Sequence, residues 1–268
     1  MTFGLRQIVW DHTISRNKDE EQGAPMSDPE TVQATIRELV SANHILFDQG
    51  VVDGFGHVSV RHPHNPGRFL LSRSMAPGLV TEKDVLEFDL DGNPVVPNGP
   101  AAYLERFIHG EIYRKRQDVM SVVHSHSPSV VPFSVVTGTR LRAICHMCGF
   151  LGSDTPVFEI RDFAGEDSDL LINSNRLGAA LAQSLGEQPA VLMRGHGSTV
   201  VGNSLRQAVF RAVYTEVGAR LQSEAMRLGP VTYLTKGEAA ATTKTNNTQI
   251  DRAWFLWLKA AESRTKEG

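Results

Sequence analysis

The chain has 268 residues, 41% hydrophobic and 21% charged, the balance of an ordinary globular protein. Lys and Arg number 27 against 30 Asp and Glu, a formal net charge of −3, so the basic excess that nucleic acid or anionic lipid demands is missing. No apolar run approaches the roughly 20 residues of a membrane span and none follows Met1 to Arg6, so a cytoplasmic location with no nucleic-acid or membrane partner is expected.

In chain order, residues 1–28 read as a polar arm with a charge cluster from Arg16 to Glu21. From Pro29 the spacing of Val32, Ile36, Leu39 and Val40 predicts a helix, with Asp28 as its N-cap. Short strands follow at His57–Arg61, Arg68–Ser72 and Val85–Asp89, and Asp91-Gly92 is a hairpin-turn signal. A helix is expected over 101–116, striped by Leu104, Phe107, Ile108 and Ile112, with Arg114, Lys115 and Arg116 at the negative end of its dipole. Residues 120–126 read as a buried strand, with Ser127-Pro128 opening the next helix. Further strands are expected at 157–160 and Ala190–Met193, then a long helix over Leu205–Leu228. Residues 236–249, rich in Thr, Lys, Ala and Asn, read as a mobile connector before a short helix carrying Trp254, Phe255 and Trp257. The division is thus an arm at 1–28, one domain at 29–235, and a connector with a C-terminal helix at 236–268. The fold class expected is α/β, a single three-layer α/β/α domain around a mixed, mainly antiparallel sheet.

Three segments carry chemistry. In Val122-Val123-His124-Ser125-His126, two histidines at i and i+2 of a strand share one face, so both imidazoles can reach one ion. On a surface strand the same pattern is two solvated histidines. In Arg194-Gly195-His196-Gly197, glycines frame a histidine just past a buried strand, where backbone can approach closely; a plain turn histidine is the alternative. Three neutral imidazoles suit Zn²⁺ and leave coordination positions open, although Mn²⁺, Fe²⁺ and Co²⁺ bind similar sites. On the expected helix, Glu105, His109 and Tyr113 fall on one stripe, and Glu105 is either a site carboxylate or a surface ion-pair partner of Arg106 or Arg116. The two cysteines, Cys145 and Cys148, form a lone C-x-x-C and read as small buried side chains, with a redox pair as the alternative.

Glu105, His124-x-His126 nineteen residues later, and the Gly-flanked His196 together resemble the class II aldolase and adducin-related family. Gly54–Ser59, Val80-Thr81-Glu82-Lys83-Asp84 and the helix after His196 support the resemblance, which covers roughly residues 30–228. It implies that His124, His126 and His196 hold one divalent metal per chain, Zn²⁺ first. Glu105 would join the metal or act as acid/base. The resemblance also implies a homotetramer with active sites at subunit interfaces.

Departures from the family pattern bear on the substrate. The sugar-phosphate members' Gly-Thr-x-Gly-Asn loop reads Gly54-Phe55-Gly56-His57 here, and their serine pair before the glutamate is replaced by Tyr103 and Leu104. Where the family has T-P-[ST]-G, this chain has Ser72-Arg73-Ser74-Met75. Arg73 is a natural clamp for a carboxylate, flanked by Ser72 and Ser74, or else a surface ion-pair member. Phe55 and Tyr103 offer flat walls, His57 joins the candidate catalytic groups, and His146 stands near the place of the family's tyrosine acid. The expected function is a metal-dependent lyase, closest to decarboxylases of hydroxylated aromatic carboxylates such as 3,4-dihydroxyphthalate. The alternatives are an aldolase or sugar-acid decarboxylase, an Fe²⁺-dependent oxygenase, and an adducin-like interaction module without chemistry.

Overall fold

The computed structural model describes residues 29–267; the expected arm and the Asp28 cap lie outside them. Helix α1 (Pro29–Asp48) buries Leu39, Ala42, Ile45 and Leu46, a face set one turn beyond Val32 and Ile36, which stay half-buried. Strands β1 (His57–Arg61), β2 (Arg68–Ser72) and β3 (Val85–Asp89) form where valines, leucines and phenylalanines gather in short runs. After them come α2 (Phe107–Lys115), β4 (Ser121–Ser125), α3 (Val131–Val135), β5 (Val157–Phe158), α4 (Arg161–Ala164) and α5 (Asn175–Leu185). The chain continues through β6 (Ala190–Met193), β7 (Gly197–Gly202), α6 (Leu205–Leu228), α7 (Lys236–Asn247) and α8 (Ile250–Glu267).

Seven strands make one sheet in the order β3-β2-β1-β4-β7-β6-β5, antiparallel throughout except for β5 on β6. Alternate side chains feed two cores. On one face Val58, Leu70, Val123, Leu192 and Val200 pack with α1, α6 and α8. On the other Phe69, Leu71, Val122, Val191 and Val201 pack with α2 and α5. The three-layer, mainly antiparallel architecture is therefore as expected. No helix of the described residues is long and apolar enough to cross a membrane.

Several elements differ from expectation. The helix expected over 101–116 begins only at Phe107, because residues 101–103 are drawn into long-range contacts: Ser74 N donates to the Ala101 carbonyl at 2.7 Å and the Tyr103 hydroxyl to the Met75 carbonyl. Glu105 consequently sits in a turn, off the stripe that His109 and Tyr113 share. The strand at 157–160 shrinks to two residues, and β7 and α5 are elements the sequence did not announce. α3 starts at Val131, past Ser127-Pro128, because Glu216 on α6 takes bonds from Ser127 Oγ and Ser129 N and ties that turn down. The C-terminal helix runs for 18 residues rather than being short.

The largest correction concerns residues 236–249, which form α7 rather than a connector. A capping box starts it: Glu238 N donates to Thr235 Oγ1, and Thr235 N donates to Glu238 Oε2. The helix lies on the 3-10 segment His146–Leu151 so closely that a Cβ on Gly149 would stand 2.1 Å from Thr242 Oγ1 and 2.7 Å from the Ala239 carbonyl. Gly149→Ala therefore wedges α7 off its seat, and overpacking of this kind costs about 1–3 kcal/mol. Chemical denaturation should show the variant less stable than wild type by that amount; equal stability would mean that α7 is not packed there.

Candidate metal centre

β4 delivers His124 from its buried interior and His126 one residue past its end, and the turn from β6 into β7 delivers His196. Antiparallel pairing sets Ser125 opposite Ser198 and His124 opposite Thr199, so the two chain segments meet at the right level. The approach is close at Gly197, where a Cβ would lie 2.0 Å from the Ser125 carbonyl. Only glycine is tolerated there, which is the physical content of the glycine frame around His196.

The three rings point their Nε2 atoms at one another. His124 Nε2 is 3.2 Å from His126 Nε2, and His196 Nε2 is 2.9 Å from the same atom. Glu105 Oε2 completes the group at 3.3 Å from His124 Nε2 and 3.4 Å from His196 Nε2. All four ligand atoms lie within 4.8 Å of one another. The far nitrogens of two rings are tied outward: His124 Nδ1 donates to the Ser198 carbonyl at 3.1 Å and His196 Nδ1 to the Leu170 carbonyl at 3.0 Å. A carbonyl can only accept, so each Nδ1 keeps its hydrogen and a neutral ring turns its Nε2 lone pair inward. Tetrahedral ligands about 2.0–2.1 Å from Zn²⁺ stand roughly 3.3–3.4 Å apart, close to what these atoms do. Inward lone pairs beside a carboxylate repel without a cation, so the donor set fits a divalent metal.

Electrostatics agree. Burial lowers the His126 imidazole to about 4, helped by His124 and His196, which keeps it neutral at ordinary pH. Burial by itself would raise the Glu105 carboxyl, but the donors and positive charge that it meets at the His124 and His196 edge, the place that a cation would take among neutral rings, hold it well below the usual carboxylate range. The other oxygen, Oε1, accepts from Ile172 N at 2.9 Å. Residues 170–172 thus tether both His196 and Glu105, and Leu170 does so from a left-handed backbone, φ 67°. No motif in the sequence marked this segment; its only local sign is the Ser168-Asp169 pair, whose side chains accept from the Leu170 and Leu171 amides.

The remaining expected residues divide into three groups. His57, opposite His124 in the β1–β4 register, lies with its ring 5.0 Å from that of His124 and 4.6 Å from that of Tyr103. Tyr103 in turn meets Ser72 Oγ at 3.3 Å, and Phe55, 68% exposed, stacks on His126 at 6.2 Å. At the rim, Arg73 makes the ion pair anticipated as its alternative: Nε donates to Asp84 Oδ1 at 2.7 Å. Asp84, bonded to Thr81 and Arg73, is brought down to about 2. Ser74 beside it is exposed. His146 stands apart, exposed on the segment under α7, its carbonyl accepting from Asn246 Nδ2 at 2.7 Å, and no hydrogen bond or ring contact among the described residues joins it to the cluster. The cysteines are free, with Sγ atoms 2.8 Å apart and Cys148 buried against α6. A groove of about 1010 Å³ opens at the other end of β4 and β7, between Val119, Gly202 and α7, away from the histidines.

Comparison with known proteins gives the family. The sequence profile described as "Class II Aldolase and Adducin N-terminal domain" matches residues 37–223. A protein of Talaromyces stipitatus named decarboxylase tropJ is 41% identical over 251 residues, covering 85% of this chain and 94% of its own. The 3,4-dihydroxyphthalate decarboxylase of Arthrobacter keyseri is 32% identical, covering 73% of this chain and 81% of its own. Among solved structures, the L-fuculose 1-phosphate aldolase of Glaciozyma antarctica superposes with a TM-score of 0.73 at 23% identity, over 92% of this chain and 96% of its own, which speaks for the fold. By the profile match and these relatives, the chain belongs to the class II aldolase and adducin family and is a lyase.

Proposed function

We propose that this lyase is a metal-dependent decarboxylase of a hydroxylated aromatic carboxylate resembling 3,4-dihydroxyphthalate. The observation that carries the reading is the convergence of three imidazoles, two of them tethered outward, and one carboxylate on a single point. His124, His126 and His196 would hold the cation, Zn²⁺ first, with Mn²⁺, Fe²⁺ and Co²⁺ compatible with the same donors. When bound, it supplies a Lewis acid that polarises substrate oxygens and spreads the negative charge left on the ring as CO₂ departs. The names of the relatives from Talaromyces stipitatus and Arthrobacter keyseri support decarboxylation.

The chain's own groups take the other roles. Phe55 and Tyr103 flank the aromatic ring. Arg73, already held by Asp84 through Nε, turns its remaining N–H groups to a substrate carboxylate, with Ser72 and Ser74 beside it. Glu105 Oε2 would hold the proton of a substrate hydroxyl, and His57 contacts a substrate oxygen. As the ring–carboxylate bond breaks, its electron pair stays on the ring carbon, which takes up a proton. His146, exposed and distant in its own subunit, would supply that proton to a neighbouring copy's site in a homotetramer.

Three outcomes are expected. The protein should purify with about one divalent metal per chain and release CO₂ from hydroxyphthalates. His126→Ala should lose metal, whereas Glu105→Gln should keep metal and fold while kcat drops roughly 10²–10⁴-fold, as for a general acid/base. Active protein that contains no metal by elemental analysis would sink the reading.

Arg73→Lys keeps the charge but loses the paired geometry, so KM should rise by the loss of a charged hydrogen bond, about 1.5–3 kcal/mol, with kcat less affected. Unchanged steady-state kinetics would return Arg73 to its ion pair with Asp84 alone.

His146→Phe chains mixed with His126→Ala chains should partly regain activity, because some sites then carry both residues intact from different chains. Mixed oligomers verified by mass spectrometry that stay inactive would remove His146 from a neighbour's site.

A further inference from the structure

Four buried polar groups run from the metal centre into the core between β1 and α2. His57 Nδ1 lies 2.7 Å from His109 Nε2, His109 Nδ1 lies 2.6 Å from Ser59 Oγ, and Ser59 Oγ lies 2.7 Å from the Tyr113 hydroxyl. Their exposures are 4, 0, 0 and 1% for His57, His109, Ser59 and Tyr113, so every hydrogen must find its acceptor inside the chain of groups.

Counting begins at Tyr113. Burial raises its phenol, so the proton stays on the oxygen. Its neighbours other than Ser59 are donors: the Val122 backbone N–H, and the Arg61 guanidinium 4.7 Å above the ring. The phenol hydrogen therefore goes to Ser59 Oγ. A serine has one hydrogen, and it then goes to His109 Nδ1. An imidazole that accepts at Nδ1 carries its hydrogen on Nε2, and this one is given to His57 Nδ1. By the same rule His57 is neutral with its hydrogen on Nε2. The opposite direction would strand the Tyr113 hydrogen in an apolar core of Phe69, Ile112 and Val122.

His57 Nε2 has no partner among the described residues, and the ring keeps its small exposed surface beside His124 and Tyr103. We propose that His109, backed by Ser59 and Tyr113, is a positioning residue that locks His57 as a neutral Nε2–H donor aimed at a substrate oxygen. A neutral imidazole of this kind donates a hydrogen bond to developing negative charge. It cannot act as a general base through Nε2, and as a proton donor it would have to become an imidazolate. His57 thus selects substrates that place an anionic or carbonyl oxygen beside it. The assignment of that oxygen to an aromatic carboxylate rests on the decarboxylase reading; the hydrogen count does not.

Neutron diffraction from deuterated, metal-loaded wild-type protein reads the count directly. Deuterons are expected on Tyr113 Oη facing Ser59, on His109 Nε2 and on His57 Nε2. A deuteron on His57 Nδ1 overturns the inference. Two variants read the consequence. His109→Leu fills the space but donates nothing, and kcat should fall about 10- to 100-fold, the usual loss for an orienting partner, with metal content intact. His109→Gln keeps an amide donor for His57 and a carbonyl acceptor for Ser59, and should recover most of kcat. Equal losses in the two would leave His109 a filler of space and overturn the positioning role. Should either variant fail to fold, the deuteron positions in wild type decide alone. Should no CO₂ be released from any hydroxyphthalate, the decarboxylase reading fails while the deuteron map still tests this one.

Discussion

Everything at the candidate metal centre depends on how closely β4 and β7 approach where the first ends and the second begins. The Ser125 carbonyl occupies the place that a side chain on Gly197 would need. Moving the strands apart to admit even one methyl group would separate His126 from His196, whose Nε2 atoms now stand 2.9 Å apart. The sheet around this contact is buried on both faces, with Val123 and Val200 in one core and Val122 and Val201 in the other. Packing from two helical layers therefore holds the strand separation that the histidines require.

The site is also built from backbone tethers that would not themselves touch a bound cation. Leu170 adopts a backbone conformation that non-glycine residues rarely occupy, at a cost of order 1–3 kcal/mol. In that conformation its carbonyl takes the His196 Nδ1 hydrogen, and two residues later the Ile172 amide fixes Glu105 Oε1. One strained segment orients two candidate ligands from different parts of the chain, and the Ser168 and Asp169 side chains stabilise its turn. Strain here accompanies preorganisation, as is common where a ligand shell must be fixed before the ligand arrives.

Below the cluster, polar groups are buried in unusual density for a β-sheet interior. Ser59, His109 and Tyr113 are sealed from water and His57 nearly so, and the burial that lowers the His57 and His109 imidazoles, His109 to about 3, favours their neutral forms. In such a place hydrogen bonding leaves little freedom, since each hydroxyl has one hydrogen to give and each neutral ring one donor and one acceptor. In the proposed arrangement a phenol at the inner end thus sets the proton position of an imidazole at the outer end, three hydrogen bonds away.

Much of this protein was legible in its residues. Short β-type segments between Gly and Pro breaks marked β1 to β3 and buried apolar runs marked β4 and β6, the i, i+2 spacing placed His124 and His126 on one face, and those histidines with Glu105 and the glycine-framed His196 carried the family likeness. α7 was legible too, in the Thr235-x-x-Glu238 box, but composition suggested a connector instead. What the tertiary structure alone decided are the pairings of residues far apart in sequence: Glu105 with Ile172 across 67 residues, His126 with His196 across 70, and His57 with His109 across 52. The same holds for Glu105's turn, pulled out of a helical stripe by contacts to residues 74 and 75, and for the distance of His146 from its own cluster. Local periodicity reports which face a side chain shares with its neighbours; it carries no information on which distant backbone carbonyl will accept its hydrogen, and that choice belongs to packing.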